Sequence, residues 1–310
     1  MPGAASRQVV IVGGGISGVA TAYYLAKRGV VATLIDPVGI APAASGKAGG
    51  FLARDWRNGT PLEELQQFGF QLHQQLANTL GNEIIDYRRL TSAAVAVDEN
   101  DENDSDSDSP AATKRIPNKP PSKKLVDLEW VDPDVVLWGE NKLGTPGVYP
   151  MGDEETIAQV HPMKLCKAMW DSSIAKASDS PGISSIELVK GKIVRALTES
   201  RSVTGVVLDD ETILPSDVLV IACGPWTYEA NQWFDKQETT TSSTTTPSLL
   251  PQITAIKCHS ILVPSLTGKP NTQAVFFDSN GAIGAEGDLE VYPRPDGDSY
   301  VNGFANPEGI

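Results

Sequence analysis

Cysteine is scarce in this chain, three in 310 residues, and Cys166, Cys223 and Cys258 stand far apart without a Cys-x-x-Cys pair. That argues against a disulfide framework or a thiolate metal centre and fits a reducing compartment, so no metal site is expected. Long apolar runs are missing as well: nothing approaches the ~20 residues that a membrane-spanning helix needs. The first apolar strand begins near Val9, which leaves no room for a signal or transit peptide. Positive charge is in deficit, 25 Lys and Arg against 39 Asp and Glu, for a formal net charge of −14. That excess disfavours nucleic acid and anionic membrane surfaces as partners. Part of it lies in one acidic stretch, so it reads as charge for solubility and says little about substrate. What these deficits leave is a cytoplasmic globular protein, 40% hydrophobic, with ample material for a core. Its protein partners stay open.

Two segments stand apart from the fold. Residues 98–124 hold Glu99 to Pro110, almost all Asp, Glu, Asn and Ser, followed by Lys and Pro. Residues 238–248 are nearly all Thr and Ser. Neither can bury enough apolar surface to offset the entropy of ordering, so both read as disordered insertions. Elsewhere elements of both kinds alternate. Leu62–Leu80 has helical spacing at Leu65, Phe68, Leu72 and Leu76 and stops at Gly81. Pro162–Ala177 is helical with Leu165, Met169 and Ile174 on one face. Thr91–Val97, Glu187–Leu197, Ser202–Leu208, Ile253–Val263, Gln273–Phe277, Leu289–Tyr292 and Tyr300–Phe304 read as strands. Val218–Ala222 is short and continuously apolar, as inside a parallel sheet.

The richest signal is at the start. Val9-Val10-Ile11-Val12 is a buried strand, Gly13-Gly14-Gly15-Ile16-Ser17-Gly18 a glycine fingerprint, and Val19 to Gly29 a helix. A second strand then ends at Asp36. Gly13 permits the tight turn, Gly15 lets backbone approach a pyrophosphate, and Gly18 lets helix lie close to strand. The helix N-terminus offers N–H groups and partial positive charge to phosphates, and Asp36 can accept hydrogen bonds from a ribose diol. In continuous order these pieces point to a dinucleotide site.

That fingerprint, the segment Ala44-Ser45-Gly46-Lys47-Ala48-Gly49-Gly50-Phe51-Leu52, and Val218 to Thr227 with Ala222-Cys223-Gly224-Pro225-Trp226 together resemble the D-amino-acid-oxidase-type FAD-dependent oxidoreductases. Ser45 to Ala53 and Glu155 to Pro162 are most similar to a less characterised oxidoreductase subgroup of fungi, plants and algae. The resemblance implies FAD as cofactor. It places Gly13, Gly15, Ile16, Ser17, Gly18 and Asp36 at the ADP half, and Ser45, Gly46, Lys47, Ala48, Gly49 and Gly50 near pyrophosphate and flavin ring. Backbone at Val194, with Ile193 as alternative, would clasp the adenine, and Ala222, Gly224 and Trp226 would approach the ADP portion. Lys47 either brings a cation near the flavin or points to solvent. Arg54 either meets a substrate carboxylate or pairs with Asp55. Cys223 reads as packing, and His161 as structural or as a base. No catalytic residue can be assigned. The closing segment that the resemblance implies after the last strand is missing at Gly309-Ile310, so the chain reads as C-terminally shortened.

The expected fold is α/β: a Rossmann-like FAD-binding domain of three-layer, glutathione-reductase type, with an interleaved, mostly antiparallel α+β substrate domain. The first would comprise residues 1–85 and 152–237, the second 86–151 and 249–310. The expected activity is oxidation of a C–N bond in a small-molecule amine or amino acid by hydride transfer to flavin N5. A non-catalytic FAD-fold binding protein in trafficking or regulation is the alternative, and a nicotinamide-dependent dehydrogenase a further one. Deleting residues 99–122 should leave the melting temperature nearly unchanged, because that segment has little apolar surface to contribute. A fall of several degrees in a thermal melt would show that it packs on a domain.

Overall fold

A computed structural model describes residues 7–97, 148–178, 186–234, 250–265, 271–279 and 289–306. The expected insertions at 98–124 and 238–248 lie outside the described residues. The described elements begin with β1 (Val9–Val12), α1 (Ile16–Ala26), β2 (Ala32–Ile35), α2 (Ala44–Lys47), β3 (Phe51–Ala53) and α3 (Glu63–Leu80). Next come β4 (Arg88–Arg89), β5 (Thr91–Val97), β6 (Val148–Gly152), β7 (Ile157–Gln159) and α4 (Pro162–Ser178). They are followed by β8 (Glu187–Val189), β9 (Ile193–Glu199), β10 (Ser202–Leu208), β11 (Ile213–Pro215), β12 (Val218–Ile221) and a 3₁₀ helix, Gly224–Trp233. The last are β13 (Lys257–Val263), β14 (Gln273–Ser279), β15 (Glu290–Pro293) and β16 (Ser299–Asn306).

The chain forms two compact units, Met1–Ala48 with Pro162–Ala255, and Gly49–His161 with Ile256–Ile310. The units part at 48/49, 161/162 and 255/256. In the first unit all four residues of β1 are buried, because β1 is central in the all-parallel sheet β12-β1-β2-β8. Val9 to Val12 register with Val218 to Ile221 on one side and Ala32 to Ile35 on the other. The apolar run before the 3₁₀ helix is thus the parallel strand its composition predicts. The single strand expected over Glu187–Leu197 is instead two. β8 joins the parallel sheet, and β9 turns into a separate antiparallel sheet, β11-β10-β9. Between them Asp209 Oδ1 accepts the Lys192 N–H at 3.1 Å, which fixes the change of direction. Ser200 and Arg201 both have positive φ in the β9–β10 hairpin, the geometry that matches strand twist in a two-residue turn. Val10, Val12, Ile35, Ile193, Val206 and Leu208 form the core between the two sheets.

Along α4 the buried face is Leu165, Cys166, Met169, Trp170 and Ser173; Ile174, expected on that face, is 39% exposed. The polar Ser173 is accommodated because its hydroxyl donates to the Met169 carbonyl at 2.8 Å.

The second unit is built on a six-stranded sheet, β13-β16-β15-β14-β5-β6, and a small sheet, β3-β7-β4. β14 pairs parallel with β5 and the other neighbours in the large sheet are antiparallel. Leu90, Ile157, Ala274, Phe276, Tyr292 and Tyr300 form its core. The helix α3 ends at Gly81 as expected, with the Gly81 N–H on the Ala77 carbonyl at 2.9 Å. Its buried face, however, is Phe70, Leu76 and Ala77, while Leu65 and Phe68 are 68% and 61% exposed. The reason is a polar tie that spacing cannot reveal. Gln74 Oε1 accepts from Arg89 Nη2 at 2.9 Å and from the Tyr87 hydroxyl at 3.1 Å, and the Arg89 guanidinium lies over the Phe70 ring. Phe70→Ala should therefore cost about 3–5 kcal/mol in denaturant unfolding. Phe68→Ser should stay within about 0.5 kcal/mol, the ordinary range for an exposed position. Equal losses would show that Phe68 is the core residue.

Candidate dinucleotide cradle

The turn from β1 into α1 is closed by backbone packing. Gly13, at φ +105°, donates its N–H to the Ile35 carbonyl at 2.8 Å. A Cβ on Gly13 would collide with the Ala222 carbonyl, one on Gly14 with the Gly39 carbonyl, and one on Gly18 with the Gly13 carbonyl. These three glycines are required by the fold itself. Gly15 is different: a Cβ there would meet only Ser45 Oγ, at 3.1 Å. Gly15 is also the N-cap of α1 and has no side chain to satisfy the first turn. Ser45, carried by α2, supplies that cap by accepting the Ile16 N–H at 3.0 Å. Ile16 and Ser17 are exposed at this helix end.

Asp36, 8% exposed at the end of β2, is placed beside this turn. Its Oδ2 accepts the Gly14 N–H at 2.8 Å, and its Oδ1 accepts the Val38 and Gly39 N–H groups, each at 2.8 Å. Sequence reasoning gives the carboxylate to a ligand and misses these three backbone donors. Ala222 continues the wall by donating its N–H to the Val12 carbonyl at 2.8 Å. Gly224 and Trp226 open the 3₁₀ helix, with the Trp226 ring 48% exposed. Val194 exposes its side chain while its neighbour Ile193 is buried in the core. Gly46 is pressed against the Ala41 carbonyl and the Met163 methyl of α4, and Lys47 and Ala48 are exposed. An exposed helix N-terminus, a hydroxyl at its first N–H and an open glycine fit the pyrophosphate of a dinucleotide.

In the second unit Gly49 lies flat under the Tyr292 ring, leaving no space for a side chain. The Gly50 carbonyl accepts the Val160 N–H at 2.9 Å. Phe51, Tyr292 and Tyr300 stack in series, with centroids 5.3 and 6.1 Å apart. Phe276 and Trp56 pack against Phe51, each with centroids 5.1 Å away. The Arg294 guanidinium sits over Tyr300 at 5.2 Å, and burial pushes it below the usual guanidinium range. Arg88 is likewise lowered by burial; its Nη2 donates to the Pro293 carbonyl at 2.7 Å and its Nε to Gln159 Oε1 at 3.3 Å. Arg54 resolves to the ion pair: Nε and Nη2 meet the two Asp55 oxygens at 2.7 and 2.8 Å. The His161 N–H is held by the Ile85 carbonyl at 2.9 Å. This stack and the Arg88–Gln159 contact join residues 51 to 300, and no local signal announces them.

A parallel βαβ unit with glycines at the strand-to-helix turn and an exposed helix end is the architecture of a dinucleotide-binding protein. The FAD dependent oxidoreductase (DAO) family matches residues 8–309, and the chain belongs to it. The cofactor of this family is FAD. A Schizosaccharomyces pombe protein carrying a provisional oxidoreductase name is 29% identical over 332 residues, 98% of this chain and 72% of that protein. The fold is similar to that of glycine oxidase from Bacillus cereus, with a TM-score of 0.62 at 19% identity over 97% of this chain and 72% of that one. It is also similar to iminodiacetate oxidase from Chelativorans, with a TM-score of 0.61 at 14% identity over 96% and 72%. No described helix is long and apolar enough to cross a membrane. Among the described residues no group of three or more His, Cys, Asp or Glu is placed to hold a metal ion.

Cys223 stands beside the turn, packed against the core with its Sγ 3.6 Å from the Val12 carbonyl. Burial pushes its thiol up to about 11, and burial alone does the same to Cys166. Cys258 is exposed. The thiolate is the reactive form, and a thiol at about 11 is roughly 0.1% ionised at pH 8. Iodoacetamide at pH 8 should therefore label Cys258 at least tenfold faster than Cys223 or Cys166, read by peptide mapping of the native protein. Comparable labelling of Cys223 would show a reactive thiol beside the cradle.

Proposed function

We propose that this chain oxidises a C–N bond of a small amine or amino acid in a cytoplasmic setting, with FAD held along the cradle described above. The observation that carries the reading is Gly15. Backbone carbonyls exclude a side chain at Gly13, Gly14 and Gly18, whereas a Cβ on Gly15 would meet only Ser45 Oγ, at 3.1 Å, so this position is the one left open enough for a ligand to come close. The N–H groups of Gly15, Ser17 and Gly18 would hold the pyrophosphate, beside the Ile16 N–H that Ser45 takes. Ser45 can accept from Ile16 and still donate its own proton to a phosphate oxygen. Asp36 retains acceptor capacity for the ribose, backbone at Val194 would meet the adenine, and Ala222, Gly224 and Trp226 would flank the ADP portion. Gly46 to Gly50, with Lys47 and Ala48, would run along the flavin ring, where small residues permit close approach.

In this reading residues 1–85 and 152–237 serve the cofactor, in a three-layer arrangement of glutathione-reductase type, and 86–151 with 249–310 serve the substrate. Bound flavin supplies the hydride acceptor at N5, so the protein's task is to orient and enclose the substrate. The kinship of fold with glycine oxidase and iminodiacetate oxidase supports an amine or amino acid as the substrate class.

Purified protein loaded with FAD should lose its flavin absorbance when an oxidisable amine is added without oxygen. A flavin that no amine or amino acid bleaches would favour a binding role. Gly15→Ala tests the carrying observation separately. Its unliganded stability should stay within about 1 kcal/mol of the parent, since only a capping position changes. Its FAD affinity should fall at least about tenfold, the cost of a methyl group where backbone must approach the ligand. Unchanged affinity by fluorescence titration would remove the main support for the site.

A further inference from the structure

We propose that Asp36 is a positioning residue that acts on the bound dinucleotide chiefly by latching the phosphate loop, and only secondarily by accepting from the ribose. This rests on the FAD site proposed above. A carboxylate offers about four lone-pair sites. Three are taken: Oδ1 receives the Val38 and Gly39 N–H groups and Oδ2 receives Gly14. A ribose diol would find one acceptor site where it could use two, on a side chain only 8% exposed.

The remaining contacts of Gly14 show what the latch holds. Its carbonyl accepts the Ala41 N–H at 2.8 Å, and the Gly39 carbonyl occupies the space where its Cβ would be. Ala41 is fully buried at φ +50°, a conformation that a residue with a side chain keeps only when its surroundings hold it. The segment from Asp36 to Ala41 thus grips Gly14 from the carboxylate at one end and from Ala41 at the other. Gly14 in turn sets the position of Gly15 and the first N–H groups of α1. Losing the carboxylate leaves three N–H donors without their charged acceptor and frees the loop that must be in place before a phosphate arrives. Binding would then carry the ordering cost that the latch removes.

The test is a thermodynamic cycle between residue and ligand. ADP and 2′,3′-dideoxy-ADP are titrated into the parent and Asp36→Asn by calorimetry. A latch predicts a loss of about tenfold or more for both nucleotides, equal within about twofold, because charge-assisted hydrogen bonds inside the protein are what is lost. A loss confined to ADP would mean that Asp36 acts on the ribose directly and would overturn the proposal, as would no loss for either. Failure of the parent to bind ADP would count against the FAD site, and the latch is then judged without ligand. In unliganded parent the Gly14, Val38 and Gly39 amides should exchange with solvent slowly. In Asp36→Asn they should exchange at least about tenfold faster, while Val10 to Val12 in β1 keep their protection. Fast exchange in the parent, or equal acceleration throughout β1, sinks the latch. Should Asp36→Asn not fold, the parent measurement alone decides.

Discussion

The backbone at the end of β1 lies so close to its neighbours that side chains are excluded at Gly13, Gly14 and Gly18, and the rest of the first unit is arranged around that contact. Ala222 must be where it is because its carbonyl backs Gly13 and its N–H bonds Val12. That fixes β12 beside β1, and β12 leads into the 3₁₀ helix that begins at Gly224. On the other side Ile35 accepts the Gly13 N–H, which brings the end of β2, and with it Asp36, against the turn. Helix α1 can lie on the sheet because Gly18 has no Cβ to hold it off. One steric constraint therefore positions three strands, a helix and a carboxylate.

How legible this is in the sequence depends on the range of the interaction. β1, α1, β2 and β12 are readable because their signals are local: four apolar residues in a row, glycines at fixed offsets, an acid at a strand end. The β9–β10 hairpin is readable for the same reason. The break between β8 and β9 has a local mark in Lys190-Gly191-Lys192, but the assignment of β8 to the parallel sheet and of β9 to a different one is set only by their pairing partners. The buried face of α3 is decided by Gln74 and Arg89, fifteen residues apart, so periodicity picks Leu65 and Phe68 where a polar bond has picked Phe70. The face of α4 shifts because Ser173 satisfies its own hydroxyl and can be buried where an apolar pattern looks for Ile174. The parallel pairing of β14 with β5 joins Gln273 to Thr91, and no spacing foretells it.

Asp36 shows a second limit. A sequence can place an acid at the end of a strand, but it cannot show how many of the acid's lone pairs the backbone will claim. A carboxylate read as a recognition element is, in the folded chain, already a structural acceptor three times over. Whatever it gives a ligand must be shared with that role.

The two units differ in what holds their characteristic features, main chain in the first and side chains in the second. The cradle in the first unit is almost entirely main chain: N–H groups at a helix end, carbonyls against glycines, one hydroxyl and one carboxylate. Main-chain sites demand glycine at set offsets, so they leave a mark in the sequence and suit a cofactor whose phosphates look alike from protein to protein. The second unit presents side chains instead. Phe51, Tyr292 and Tyr300 form its stack, with Arg88 partly buried and Arg294 almost fully buried beside it, lowered by burial and tied to carbonyl and ring partners. Each member comes from a different strand or loop, and Tyr292, Tyr300 and Arg294 are buried, so the stack is part of the unit's core. Packing between side chains so far apart in the chain leaves no pattern of fixed offsets. That is why the dinucleotide signal can be read from Val9 to Asp36 and this stack cannot be read at all.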